Sequence, residues 1–259
     1  MPPVLIPVGT AIRSSRDANT VVYHDPRISA NHLAQYMAST AAQQENIIVN
    51  ARTMNTIPVA NYEHARTTLT RSHTPAGIDE ARMADLIAEM EANPGNDAFD
   101  LKCLEMSARA MRRFLPRVPG LVCEGNMVRR PPRGFDYILI EGVRVSVQPD
   151  IVFSFDRKGQ RHYGGVLATF ASGRHAALDR TSGGYEAGAY AAFFVHLFLS
   201  LRFAPEGGVP NPHYCYAVDT FRDRTWTAPT AQVRMLRNVE AACRAIERHW
   251  QRLEIDDLA

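Results

Sequence analysis

The sequence predicts a mixed α and β protein: a central mixed sheet covered by helices, with a helical N-terminal extension (residues 1–96) packed on a core of residues 97–259. Three observations carry that expectation. From Val143 to Phe155, an alternation of Val143, Val145 and Val147 with Arg144, Ser146 and Gln148 passes into the apolar run Ile151-Val152-Phe153. Alternation marks a half-buried strand and an unbroken apolar run a strand buried on both faces, so the predicted strand deepens into the core along its length. The apolar stretch Ala187 to Leu201 reads as a buried helix between strands, which covers one face of the sheet it crosses. Two amphipathic stretches, Asp100 to Leu115 and Ala231 to Leu253, supply further cover.

Along the chain, Met1 to Asp25 shows no clear periodicity. Ser29 is the expected N-cap of a helix carrying Leu33, Tyr36 and Met37 and continuing toward Ile47 and Ile48. Met54 to Val59 reads as a linker, and Tyr62 to His73 as a helix with Tyr62, Ala65 and Leu69 on one face. Asp79 caps a predicted helix with the stripe Met83, Leu86, Ile87 and Met90, which Asn93-Pro94-Gly95-Asn96 ends. The first third therefore reads as all-helical. In the helix Asp100 to Leu115, Leu101, Leu104, Ala108, Met111 and Leu115 recur at steps of three and four, opposite Glu105, Arg109, Arg112 and Arg113.

After Pro119-Gly120 the period changes. Strands are expected at Leu121 to Val128, Phe135 to Ile140, Val143 to Phe155 and His162 to Phe170, with a hairpin turn at Glu141-Gly142. Ala171 to Thr181 reads as a polar loop. A helix from Tyr185 to Phe203, short strands at Tyr214 to Val218 and Thr225 to Thr227, and a last helix from Ala231 to Leu253 complete the order. The core face of that last helix is Leu236, Val239, Cys243, Ile246, Trp250 and Leu253.

Composition excludes several classes. With 46% apolar and 22% charged residues the chain has material for a real core. A net charge of +2 gives no global field toward nucleic acid or membrane. Lys102 and Lys158 are the two lysines among 29 basic residues, a bias that a GC-rich genome accounts for. Cys103, Cys123, Cys215 and Cys243 have no metal-site or redox spacing and read as buried thiols of a cytoplasmic protein. Ala187 to Leu201 is shorter than the roughly 20 residues of a membrane span, and His196 and Ser200 interrupt it. His196 reads as a satisfied core histidine. There is no Gly-x-Ser-x-Gly, His-Glu-x-x-His or Gly-x-x-x-x-Gly-Lys.

Asp150 stands where the predicted central strand turns apolar, preceded by Pro149. The helix with Glu105, a strand hairpin, Pro149-Asp150 and a following strand together resemble the PD-(D/E)XK, or restriction-endonuclease-like, nuclease superfamily, over roughly residues 97–227. In that family a Glu on the first helix precedes the hairpin, a Pro-Asp pair opens the next element, and a later strand carries Glu-x-Lys. The carboxylates hold a divalent ion, Mg²⁺ or Mn²⁺, near the scissile phosphate, and the Lys orients water. The resemblance makes Asp150 the metal ligand, with Glu105 or Glu186 beside it. The strand His162 to Phe170 holds no carboxylate and no Lys, so Arg174 or His175 stands in for the Lys. His162 and His175 are the histidines expected to face such a site.

Arg129, Arg130 and Arg133 in one loop, and Arg113 among the arginines of the first core helix, are the expected phosphate contacts. The missing Glu-x-Lys implies a degenerate site that binds DNA, RNA or a protein partner without needing a cofactor, in a bacterial or mobile-element system. The alternatives are an active metal-dependent nuclease, and a purely structural or interaction protein that uses its long C-terminal helix, with a homodimer as one form.

Overall fold

The computed structural model describes residues 2–7, 13–17, 20–55, 62–128, 136–170, 181–182 and 184–258. In chain order the elements are β1 (Val4–Pro7), β2 (Arg13–Asp17), β3 (Thr20–Tyr23), β4 (Arg27–Ser29), α1 (Ala30–Met37), α2 (Ala41–Arg52) and β5 (Thr53–Asn55). Then come α3 (Glu63–Ser72), β6 (His73–Thr74), β7 (Gly77–Ile78), α4 (Glu80–Ala92), α5 (Ala98–Phe114), β8 (Asn126–Met127), β9 (Asp136–Ile140) and β10 (Val143–Ser146). The chain continues with β11 (Ile151–Arg157), β12 (Gln160–Thr169), β13 (Thr181–Ser182), β14 (Tyr185–Glu186), α6 (Ala187–Phe203), β15 (Val209–Asp219), β16 (Arg224–Thr227) and α7 (Gln232–Leu258).

Capping side chains fix several helix starts as the sequence indicated. Ser29 Oγ accepts from His32 N at 3.2 Å, and Asp79 Oδ1 accepts from Arg82 N at 2.9 Å. Asp97 takes both Phe99 N and Asp100 N, so α5 begins two residues earlier than expected. The helix expected to run from Ser29 through Ile48 is broken at Ala38–Thr40 into α1 and α2. The first third also holds strands, which corrects the all-helical reading. β1 pairs with β9 and β4 with β10, and Trp250 Nε1 donates to the His24 carbonyl at 3.0 Å, so the N-terminal residues are built into the core.

The central sheet has the order β16-β15-β12-β11-β8. β12 and β15 run parallel and every other neighbouring pair is antiparallel. Parallel neighbours need a crossover; α6 provides it and packs on both. On one face Val152, Leu167 and Ala217 meet Val195 and Leu199 of α6. On the other, Ile151, Phe153, Val166 and Val218 meet Leu69 of α3, Ile87 of α4 and Leu104, Met111 and Phe114 of α5. Each such side chain, fully buried, contributes about 1.5–3 kcal/mol. The sheet is therefore mixed and covered on both faces, as the sequence predicts. By length and composition the window Ala187–Glu206 would cross a membrane, but 72% of it is buried inside the protein.

The strand expected from Val143 to Phe155 is two strands in two sheets. β10 lies in a four-stranded sheet of order β1-β9-β10-β4, joined to β9 by the Glu141-Gly142 turn, where both residues have positive φ. The chain then leaves that sheet and enters the central one as β11. Pro149 explains the break: it lacks the N–H that a continuous ladder needs. Valine alternation and apolar run are both real strands: the valines of β10 share a core with Val152, while Ile151 and Phe153 face the other.

Candidate functional site

Asp150 sits at the break, at the end of the sheet where β12 finishes. Its backbone N–H donates to Val166 O at 2.6 Å, and its Oδ2 accepts Ala168 N at 2.8 Å. The side chain thus supplies the acceptor that the backbone ladder no longer offers past Pro149. Oδ1 is held by the guanidinium Nη1 of Arg66, 84 residues earlier on α3. The Asp150 side chain is 0% exposed and that of Arg66 27%. Ala65 and Leu69 bury the inner face of α3 and aim Arg66 at the sheet end. The guanidinium also lies 5.5 Å from the centre of the Phe170 ring, which Tyr62 flanks at 5.8 Å. A carboxylate this deep needs a charge partner, and the protein provides an internal one.

The other predicted ligands are elsewhere. Glu186 lies on β14, at the start of α6. Its carboxylate accepts Arg224 Nη2 at 2.9 and 3.0 Å and the indole Nε1–H of Trp226. Arg224 and Trp226 belong to β16, three strands from β11, which at the usual spacing is roughly 14 Å. That separation is too large for one ion with metal–oxygen distances of about 2.0–2.6 Å. Glu105 is exposed on α5 and lines a groove of about 470 Å³ with Met90 and Glu91 of α4 and Arg109 and Arg112 of its own helix. Among the described residues no three His, Cys, Asp or Glu side chains group as a metal site would.

Arg113 is exposed and folds over the Phe221 ring at 5.1 Å, its Nη1 donating to Phe221 O at 3.4 Å. Arg129, Arg130, Arg133, Arg174 and His175 lie outside the described residues. His162 is at the opposite end of β12 from Asp150, paired across the strand with Phe155 and stacked on its ring. It does not face the site as expected, because the strand extends two residues before it and places it at the far end. His196 is 8% exposed, with Nε2 at 3.4 Å from Pro210 O, the core histidine that its apolar helix indicated.

Two polar features at the same sheet end were missed by the sequence reading. Asp219 closes β15, 0% exposed, and accepts Phe221 N and Arg222 N at 3.0 Å each. Thr169 ends β12 opposite it. The Thr169 carbonyl accepts Thr220 N and Oγ1, and its own hydroxyl is buried without a partner among the described residues. Ligands of open α/β sheets gather at the carboxyl ends of parallel strands, so Asp150, Thr169 and Asp219 mark that end here. Asp219 follows the apolar run Cys215 to Val218 much as Asp150 precedes one, and that pattern was readable. Nothing in the sequence singled out Arg66.

All four cysteines are buried and free. Burial pushes the Cys123 and Cys243 thiols up to about 12 and raises that of Cys215 as well, so none of these three is a ready nucleophile. No protein-family model matches the chain, and neither does any curated protein.

Proposed function

We propose that the chain is a PD-(D/E)XK-like nuclease domain with a degenerate active site, which acts in the cytoplasm by binding nucleic acid or a protein partner in a bacterial or mobile-element system. One observation carries the reading: the position that would hold a divalent ion against Asp150 is taken by the Arg66 guanidinium. The order of elements supports the likeness. α5 precedes the hairpin β9–β10, Pro149-Asp150 opens β11, and β12 follows. Beside Asp150, where the resembled strand carries Glu-x-Lys, β12 has Val166 and Ala168, the two residues whose backbone Asp150 engages. An ion such as Mg²⁺ or Mn²⁺ would have to displace Arg66 and would find neither a second carboxylate nor a Lys on that strand.

The residues offered to phosphates are Arg113 on α5 and the loop arginines Arg129, Arg130 and Arg133. The test is a cleavage assay on DNA and RNA across Mg²⁺, Mn²⁺ and Ca²⁺, run beside Asp150→Ala, with binding measured in chelator. The expected result is no cleavage and binding that survives the chelator. Metal-dependent cleavage that Asp150→Ala abolishes would establish the active-nuclease alternative instead. If DNA is the partner, Arg113→Ala lowers the slope of log affinity against log salt by about 1.

A further inference from the structure

A second site lies on the other side of the molecule, where the start of α2 meets the last turns of α7. The two helices wall a groove of about 960 Å³, near the upper end of the range for small-molecule pockets. Its floor is Tyr36 of α1, 6% exposed. Outside the helix ladder, the hydrogen bonds of Tyr36 run through its carbonyl, which accepts Ser39 N and Gln44 Nε2; its hydroxyl makes none among the described residues. Burial raises the Tyr36 hydroxyl above its ordinary range, Cys243 adds to the rise, and Arg248 opposes it. That hydroxyl is therefore a neutral donor lying within the field of the Arg248 guanidinium.

The walls are donors too. Ala41 and Ala42 are the first two residues of the 12-residue helix α2 and line the groove. Their N–H groups precede the first helical hydrogen bond, Gln44 N to Thr40 O at 2.9 Å, so the positive end of the helix dipole opens here. Arg248 and Arg252 stand one turn apart on α7 and line the opposite wall with His249. Arg248 Nε donates to the Arg244 carbonyl at 3.2 Å, and its terminal nitrogens make no hydrogen bond among the described residues. Arg252 Nη2 lies 3.4 Å from His249 Nδ1, and among the described residues neither arginine has a carboxylate partner. Glu45, further along α2, is the one acidic residue lining the groove.

We propose that this groove binds a phosphate group, free or carried on a small molecule, through Tyr36 Oη, the guanidiniums of Arg248 and Arg252, and the amides of Ala41 and Ala42. Helix N-termini and arginines both favour anions. Five donors from residues lining one groove exceed what the two oxygens of a carboxylate accept in such a fork, whereas a terminal phosphate presents three strong acceptor oxygens. A terminal phosphate also reaches a floor hydroxyl that the phosphodiester of a strand, flanked on both sides, does not.

The test is calorimetric titration of the full chain at low ionic strength with inorganic phosphate and with a nucleoside 5′-monophosphate. Tyr36→Phe, Arg248→Gln and Arg252→Gln are run in parallel. Saturable phosphate binding is expected. It weakens about tenfold in each arginine variant and about three- to fivefold in Tyr36→Phe, the fold-changes of one charged and one neutral hydrogen bond. Tyr36→Phe keeps the ring and removes a hydroxyl with no protein partner, so its melting temperature stays that of the parent and isolates binding from folding. A monophosphate that binds tighter than inorganic phosphate and competes with it identifies the carried group; equal affinity identifies the free ion. No saturable binding, binding unchanged in all three variants, or displacement by an oligonucleotide lacking terminal phosphates overturns the proposal.

Discussion

Asp150 and Glu186 are two carboxylates that the sequence offers for the same task, and the fold gives each an arginine. Their surroundings separate them. The Asp150 side chain is 0% exposed and its partner comes from a helix 84 residues away in sequence. The Glu186 side chain is 29% exposed, and its partner Arg224 is 45% exposed. A buried charge stripped of its partner cannot be rehydrated, so such pairs are costly to break. A pair at the surface competes with water and salt and contributes about 0–1 kcal/mol. The same two residue types therefore make a structural necessity beside β11 and an adjustable contact beside β16.

The largest expected effect follows from that contrast. Arg66→Ala strands the Asp150 carboxylate and lowers stability by about 3–5 kcal/mol, read as a shift in the urea midpoint. Arg66→Met with Asp150→Asn removes both charges while leaving an oxygen to accept Ala168 N–H, and it recovers much of the loss. A double variant no more stable than Arg66→Ala would mean that Arg66 acts through packing on Phe170 rather than through charge.

Next in size is Gly188→Ala, beside the Glu186 pair. An added Cβ there would lie 2.1 Å from Cδ2 of Trp226, in the first turns of α6. The indole must move, and its bond to Glu186 goes with it. Overpacking of this kind lowers stability by about 1–3 kcal/mol. Glu186→Gln alone keeps an acceptor for Arg224 and Trp226 and costs about 1 kcal/mol or less, shrinking further in high salt. A Glu186→Gln loss as large as that of Arg66→Ala, measured by the same urea series, would erase the distinction between the two pairs.

Local signals made much of the fold legible. Ser29 and Asp79 cap where their side chains said they would, Glu141-Gly142 turns, and the apolar run before Phe203 is the buried crossover. The core face of α7 is read with one shift: Met235 is buried and Leu236 only partly. What stayed hidden depended on distant partners. A proline inside a valine-rich run reads locally as one strand with an irregularity; only the distant strand partners of β10 and β11 show that it separates two sheets. The helix carrying Leu101 to Leu115 was plain, yet Leu101, in its first turn, is 37% exposed. Arg66 looks in sequence like any solvated arginine on a helix, since its meaning comes from a carboxylate that the chain reaches only after two further helices and several strands.

Mild acid probes a different set of groups and so sharpens the same comparison. Burial holds the imidazoles of His73 and His196 below the ordinary value of 6.5, against smaller opposing hydrogen bonds to Cys123 O and Pro210 O. Below pH 6.5 the unfolded chain takes up protons that these folded residues refuse. Their contribution is therefore complete above that pH and lost as the pH falls toward their folded values. Carboxylates such as Asp100, held below its usual range first by the Asn96 N–H and then by His64, are untouched in that window. Stability from urea unfolding should decline between about pH 6.5 and 5.5, where a histidine of ordinary pKa would still titrate in the unfolded chain. His73→Gln, which keeps a donor for Cys123 O, should flatten part of that decline while leaving the loss caused by Arg66→Ala unchanged. Stability that holds or rises on acidification would show that the buried imidazoles accept their protons in the folded state, and the acid response would then have to be sought in the carboxylate pairs.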